Sequence, residues 1–204
     1  LTVLEQAMAL EDRLGGANLV IRLAALLHDI GKPKTRELIP GGGVSFHHHE
    51  VVGSRMAKER LRALRFDNQT ISDVSQLVFL HLRFHGYAGG EWTDSAVRRY
   101  VRDAEHLLEH LHVLTRADCT TRNQRKAAAL AATYDSLEER IARLKEEEEL
   151  NSIRPDLDGT EIMKILGIPA SPLVGKAYNH LLELRLEHGP LGEDRAKTEL
   201  LKWW

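Results

Sequence analysis

Apolar residues recur at intervals of three and four positions along most of the chain, which is the spacing of one face of an α-helix. Leu1, Leu4 and Met8 already follow this spacing, so we expect a first helix that is in progress at residue 1. Asn18 is a suitable N-cap for a second helix over 19–27, whose residues are so apolar that we predict burial on most sides. The pattern therefore predicts an all-α fold.

The end of the second helix is marked by Gly31 and Pro33. We expect Gly31 to adopt the left-handed turn that closes many helices, because Pro33 cannot continue one. Two short runs with strand character then follow, at 35–39 and 44–46, and the sequence Pro-Gly-Gly-Gly at 40–43 separates them. This arrangement predicts a small β-ribbon.

Helical spacing resumes at residue 47 and continues towards the end of the chain. Thr70 and Asp73 resemble a capping box at the start of one of these helices. A heptad-like seam between residues 123 and 150 predicts a long helix of roughly 40 Å. We therefore predict three segments: a helical bundle with a small ribbon over 1–122, a long connecting helix over 123–150 and a helical tail over 151–204.

The composition is that of a globular protein, with 43% hydrophobic and 28% charged residues. No apolar run is long enough to cross a bilayer, so no membrane contact is expected. The single cysteine, Cys119, excludes an internal disulfide and fits a cytoplasmic location. With a net charge of −2, any nucleic-acid contact has to come from local basic patches. Because the sequence starts at Leu1 and not at a methionine, we expect a fragment of a longer protein.

Five residues carry the candidate chemistry. His28 and Asp29 stand at the end of the most apolar helix, where an ionisable pair is unfavourable unless it is paired or binds a metal. His49, His81 and Asp118 each fall on the apolar stripe of another predicted helix. We predict that these residues share a divalent cation, Mg, Mn, Ni, Fe, Co or Zn, since imidazole and carboxylate ligands suit these metals. The alternative is that they are core residues with satisfied hydrogen bonds.

Several motifs resemble the HD superfamily of metal-dependent phosphohydrolases: LLHDIGKP at 26–33, FHHHE at 46–50, HLR at 81–83 and AD at 117–118. Two tail motifs, DGTEIM at 158–163 and LGIP at 166–169, narrow this resemblance. They are similar to the HD-containing C-terminal region of bacterial tRNA nucleotidyltransferases, the CCA-adding enzymes, and of the related poly(A) polymerases. The resemblance covers nearly the whole chain.

The resemblance implies roles for the five candidate residues. His28, Asp29 and Asp118 match the core metal ligands of the superfamily, and His49 and His81 match the histidines that complete a two-metal site. A further ligand histidine of the superfamily would fall upstream of the first residue. The segment 1–122 is therefore expected to be an N-terminally truncated HD metal-binding domain.

A phosphodiester or nucleotide, such as a 2′,3′-cyclic phosphate, is the substrate class that the resemblance implies. Asp29 is then expected to orient the attacking water and Lys32 to neutralise the substrate phosphate, although an exposed loop lysine is the alternative for Lys32. His47 and His48 are expected in a loop or on the substrate side. His85 could line the same cleft, or be a plain surface residue.

The resemblance also implies tRNA as a partner, with the tail as a candidate tRNA-binding module. Candidate RNA contacts are the basic residues on several predicted helices, although solvated charged faces are the alternative. These candidates are Arg55, Arg62, Arg98, Arg99, Arg122 and Lys176.

The nucleotidyltransferase domain of such an enzyme, with its Gly-rich loop and paired aspartates, is expected in cis but outside this sequence, so the chain alone should not polymerise nucleotides. Two other functions stay open: a free-standing HD nucleotide phosphohydrolase and a metal-free RNA-binding scaffold.

Overall fold

A computed structural model describes residues 1–84, 87, 92–148 and 153–204, which are mainly helical. The chain divides into two compact units. Unit 1 comprises Leu1–Glu91 and Asp103–Leu137, and unit 2 comprises Trp92–Arg102 and Glu138–Trp204. The predicted all-α class with a small ribbon, a long helix and a helical tail is confirmed. The segment boundaries predicted at 122 and 150 stay a prediction.

The helices of the described residues are numbered in chain order: α1 (Thr2–Ala9), α2 (Leu19–Leu27), α3 (His49–Ala63), α4 (Asn68–Leu80), α5 (Asp94–Ala104), α6 (Leu108–Ala117), α7 (Gln124–Glu148), α8 (Gly159–Leu166), α9 (Pro172–His188) and α10 (Glu193–Trp203). Short 3₁₀ turns cover Glu11–Leu14, Lys32–Lys34 and Glu105–Leu107. Helix α7 runs from unit 1 into unit 2.

The predicted ribbon lies between α2 and α3. Strand β1 (Glu37–Leu38) pairs antiparallel with β2 (Val44–Ser45), so that Leu38 lies opposite Val44. The ribbon is shorter than the two predicted runs. Its residues are largely exposed, so no core packing extends the pairing.

The core of unit 1 forms where α2, α4 and α6 meet, with α3 packed along α4. Ile21 of α2, Leu77 of α4 and Leu111 of α6 are fully buried there. Leu19 and Leu26 of α2 are 56% and 55% exposed, whereas the other seven residues of this helix are buried or half-buried. The helix is therefore buried on most of its sides but not on all, and a uniformly apolar stretch does not indicate which side stays exposed.

Side-chain caps define the starts of α2 and α4. Asn18 caps α2 as predicted, because its side-chain oxygen accepts a hydrogen bond from the backbone N–H of Ile21 at 3.1 Å. The predicted Thr70–Asp73 capping box is wrong. Asp67 is the cap of α4 and accepts from the N–H of Thr70 at 2.9 Å, so that Thr70 already lies in the first turn.

Gly31 is needed for a close approach and not for a left-handed turn. Its φ angle is −77°, in the ordinary helical region, which corrects the sequence-based expectation. A Cβ atom at this position would collide with the carbonyl oxygen of His49 and lie 2.7 Å from the amide nitrogen of Gly53. The absence of a side chain therefore lets the segment after α2 lie directly on the first turns of α3.

In unit 2, helices α8, α9 and α10 bury a common apolar core. Its fully buried members include Ile162, Leu181 and Leu200, one from each helix. Helix α8 starts with a capping box in which Asp158 and Glu161 bond each other's backbone N–H groups. Local caps and one shared core thus account for the tail.

Candidate metal centre

Four of the five predicted ligands stand at helix ends in unit 1. His28, His81 and Asp118 are the residues that follow the last residues of α2, α4 and α6, and His49 is the first residue of α3. The C-terminal ends of three helices therefore meet at one place. Each such end carries partial negative charge, so this part of the fold favours a cation before any side chain is considered.

Asp29 lies in the middle of the ligand group. Its Oδ1 atom is 3.3 Å from Nε2 of His49 and 3.9 Å from Nε2 of His81. The two imidazole Nε2 atoms are 3.3 Å apart. One ligand atom from each of the three residues lies within 4.8 Å of the other two, which is the spacing of donors around a single ion.

The remaining two predicted ligands, His28 and Asp118, lie on the side of Asp29 that carries its second carboxylate oxygen, Oδ2. Nε2 of His28 is 3.3 Å from Asp29 Oδ2 and 3.3 Å from Asp118 Oδ1. This nitrogen is buried and faces both carboxylates at ion-pair distance without a well-aligned hydrogen bond to either. The structure thus brings all five predicted residues together, with the buried Nε2 atom of His28 between two carboxylates.

The orientation of the three imidazoles is set by the backbone. Each ring places Nδ1 at 2.6–2.9 Å from the carbonyl oxygen of the residue three positions earlier, and because a carbonyl only accepts, Nδ1 carries the proton. The acceptors are Ala25 for His28, Phe46 for His49 and Val78 for His81. In the neutral rings, Nε2 therefore carries a lone pair that points into the centre.

This arrangement fits a cation. With neutral His49 and His81, two lone pairs face each other across 3.3 Å, which is unfavourable unless a positive species lies between them. The hydrogen bond from Nδ1 to a carbonyl is also the usual support of a metal-bound histidine. We therefore find that the donor set and its surroundings suit a divalent metal ion.

The electrostatics of the centre favour positive charge. Burial alone would lower the pKa of His28, but the carboxylates of Asp118 and Asp29 outweigh it and raise this pKa to about 10. Burial would raise the pKa of Asp29, but His28 and Lys32 outweigh it and hold this pKa below its usual range. Burial lowers the pKa of His81 to about 4, so its ring is neutral at pH 7 and is available as a ligand.

Lys32 lies beside the centre. Its Nζ atom is 2.5 Å from Asp29 Oδ2 and 5.8 Å from the centre of the Phe46 ring. The side chain is therefore held against Asp29 and does not extend freely into solvent.

His47 and His48 are exposed, and His85 lies outside the described residues.

The predicted RNA contacts fall into two groups. Arg55, Arg62, Arg122 and Lys176 are exposed. Arg99 is partly exposed, and its guanidinium lies 3.1 Å from Glu187 and 3.3 Å from Glu183.

Arg98 is not an RNA contact. It is 5% exposed, forms an ion pair of 2.7 Å with Glu148 and donates to the carbonyl oxygen of Leu186 at 3.0 Å. This expectation is wrong because a basic residue counted on a helix need not lie on its solvent face.

The sequence did not predict the backbone carbonyls that accept hydrogen bonds from the three imidazoles. The i to i−3 relation between each histidine and its acceptor was available as a signal, because a helix end leaves carbonyls without N–H partners. What the sequence could not show is which ring nitrogen would be bonded.

Within the described ranges, no helix has both the length and the apolar character needed to cross a membrane.

Comparison with known proteins identifies one family and two relatives. The HD domain family matches residues 1–123. The chain is 34% identical over 191 residues to a CC-adding tRNA nucleotidyltransferase of Thermus thermophilus, which covers 92% of the chain and 41% of the relative. It is 30% identical over 191 residues to an A-adding tRNA nucleotidyltransferase of Deinococcus radiodurans, with 92% and 42% coverage. The chain thus spans about two fifths of the length of these relatives.

Proposed function

The chain belongs to the HD domain family, and we propose that unit 1 carries a metal-dependent phosphohydrolase site. The observation that supports this most directly is the meeting of three imidazole Nε2 atoms with the carboxylates of Asp29 and Asp118. Ligands of this kind suit Mg, Mn, Ni, Fe, Co or Zn. Ion pairing of His28 with the two carboxylates would not explain why the Nε2 atoms of His49 and His81 also face each other at 3.3 Å beside the same Asp29.

The residues divide between two sides of Asp29. His49 and His81 would hold a cation with Oδ1, and His28 and Asp118 would contribute on the side of Oδ2. A bound divalent cation lowers the pKa of water and polarises a phosphoryl oxygen. We assign the orientation of the attacking water to Asp29. Lys32, held by Asp29, is assigned to neutralising the phosphate of a phosphodiester or nucleotide substrate.

Replacing Asp29 tests this assignment. Asp29→Asn keeps the shape of the side chain but removes its charge, so we expect the Mn²⁺ affinity measured by calorimetry to fall by roughly 100-fold. Mn²⁺-stimulated hydrolysis of 2′,3′-cyclic AMP should be lost. Asp12→Asn is the matched control, because Asp12 is exposed and lies in the 3₁₀ turn after α1.

Two outcomes would contradict different parts of the proposal. If the unsubstituted chain binds no divalent metal, the metal centre is wrong and the residues are packing groups. If the chain binds metal but hydrolyses neither a phosphodiester such as 2′,3′-cyclic AMP nor a nucleotide, the centre is structural and the phosphohydrolase assignment is wrong.

We further propose that this chain is part of a tRNA nucleotidyltransferase that acts in CCA addition, with tRNA as partner and the nucleotidyltransferase domain in cis. The support is the similarity to a CC-adding and an A-adding tRNA nucleotidyltransferase over 92% of the chain. The exposed basic residues Arg55, Arg62, Arg122 and Lys176 are the proposed tRNA contacts, and Arg99 is a further candidate. The chain by itself is not expected to add nucleotides.

A further inference from the structure

Tyr134 of α7 lies next to two of the helix ends that carry candidate ligands. Its side chain is 8% exposed, and its hydroxyl donates a 2.7 Å hydrogen bond to the carbonyl oxygen of Thr115. Thr115 is in the last turn of α6, three residues before Asp118. The bond therefore holds the turn from which the Asp118 carboxylate projects.

This bond satisfies a backbone group at a helix terminus. Carbonyls in the last turn of a helix lack the N–H partners of the helix interior. In α6, the carbonyl of Leu114 accepts from Asp118 N–H at 3.0 Å and that of Arg116 accepts from Cys119 N–H at 3.2 Å. The carbonyl of Thr115, between them, accepts from Tyr134. Burial raises the pKa of Tyr134, so its hydroxyl stays protonated and remains a donor.

The ring of Tyr134 contacts the second helix end. It stacks on Phe84 with ring centres 4.0 Å apart and planes inclined by 29°. Phe84 is 2% exposed and follows His81 by three residues. One side chain of α7 therefore contacts the segments that carry His81 and Asp118.

The last turn of α6 makes further contacts with α7 through Arg116. The guanidinium of Arg116 lies 5.2 Å from the centre of the Tyr134 ring and forms a 2.6 Å ion pair with Asp135. Together with the Tyr134 hydrogen bond, these contacts hold the last turn of α6 against α7.

We infer that Tyr134 is a positioning residue that sets the distance between His81 and Asp118 and so the size of the metal centre. This inference rests on the proposed metal centre. Tyr134 has no contact with a cation in this role. It acts through the Thr115 carbonyl and the Phe84 ring, which makes α7 a part of the site and not only a connection to the tail.

The decisive variant is Tyr134→Phe, which keeps the ring on Phe84 and removes only the hydroxyl. In the full chain we expect the Kd for Mn²⁺, measured by calorimetry, to rise about tenfold, in the range found for supporting residues of metal ligands. Tyr178→Phe is the matched control, because this tyrosine is half-buried in the tail. Its Kd should equal that of the unsubstituted chain.

Hydrogen exchange of the metal-free chain provides a second measurement. The Tyr134→Phe variant should exchange faster at the amides of Thr115–Asp118, and Tyr178→Phe should not. An unchanged Mn²⁺ Kd in Tyr134→Phe, with or without a lower melting temperature, overturns the positioning role. Absence of Mn²⁺ binding in the unsubstituted chain overturns the metal centre itself and this role with it, so the two failures are distinguishable.

Discussion

At the scale of single residues, the candidate centre depends on backbone carbonyls as much as on side chains. Each of its three imidazoles donates from Nδ1 to a carbonyl three residues earlier, so the orientation of each ring is set by the chain segment that carries it. Rings that are already oriented lose little freedom when an ion binds. The ring orientations of the candidate centre therefore do not depend on a bound ion.

Gly31 provides a sharp test of this organisation. In Gly31→Ala the new methyl group would collide with the carbonyl oxygen of His49, which is backbone and cannot move without moving the start of α3. We expect a loss of about 1–3 kcal/mol in the free energy of unfolding, the usual cost of overpacking. Mn²⁺ affinity should fall as well, because His49 would be displaced. Urea denaturation and calorimetry measure the two effects.

Gly175→Ala is the control, and it should change the free energy of unfolding in the opposite direction. Gly175 lies in α9 with open space around its Cα, so alanine should stabilise the helix by about 0.5–1 kcal/mol. If Gly31→Ala were as harmless as this control, the close approach of Gly31 to α3 would not exist in solution.

The same residues show how far sequence reasoning reached. His28, Asp29, His49, His81 and Asp118 could be selected because ionisable groups on apolar stripes are unusual, and the structure brings them together. The true role of Gly31 could not be predicted in the same way. Its close contact is with a segment that begins 18 positions later, and the local sequence contains no signal for such a contact.

At the scale of elements, unit 2 is held by a buried ion cluster as well as by its apolar core. Glu148 at the end of α7 accepts from Arg98 of α5 at 2.7 and 2.8 Å and from Arg185 of α9 at 3.1 Å. Arg98 and Arg185 also donate to backbone carbonyls. One carboxylate thus joins three helices, and its loss would leave two buried guanidinium groups without their anion.

Glu148→Gln should therefore destabilise the protein. Removing one partner of a buried charged cluster costs about 3–5 kcal/mol, and we expect the free energy of unfolding at pH 7 to fall by about 3 kcal/mol. Glu139→Gln, on the same helix but exposed, is the control and should change little. Urea denaturation followed by circular dichroism measures both variants.

The stabilisation by Glu148 should also depend on pH. Hydrogen bonds from Arg98, the largest effect, and from Arg185 lower the pKa of Glu148 from its ordinary value of 4.5, although burial opposes them. A lowered carboxyl pKa stabilises the folded state above pH 4.5 and loses that contribution as the pH falls through the folded-state value. As the pH falls from about 5, stability should fall less steeply in Glu148→Gln than in the unsubstituted chain. Equal slopes would contradict an ionised Glu148 in the cluster.

The positions of helices were easier to predict from the sequence than the contacts between them. Helical spacing located α2 and α7, because amphipathic periodicity is a local property. It could not show that α5, a helix with basic residues, would bury Arg98 against Glu148, since these residues are 50 positions apart. It also could not show that Tyr134, a seam residue of α7, would bond the end of α6.

At the scale of the whole molecule, a net charge of −2 means that any affinity for tRNA has to be local. Arg55 and Arg62 lie two turns apart on the exposed face of α3, about 10 Å along its axis. We expect the logarithm of the tRNA dissociation constant to rise linearly with the logarithm of salt concentration, and each arginine replaced by alanine to lower that slope by roughly 0.9. Filter binding at several salt concentrations measures this slope.

Arg143→Ala is the control, because Arg143 is exposed beside Glu147 in an acidic stretch and should leave the slope unchanged. If Arg55→Ala and Arg62→Ala behave like Arg143→Ala while tRNA still binds, the contact surface lies elsewhere. A chain without measurable tRNA affinity at low salt would contradict the proposed tRNA contacts as a whole.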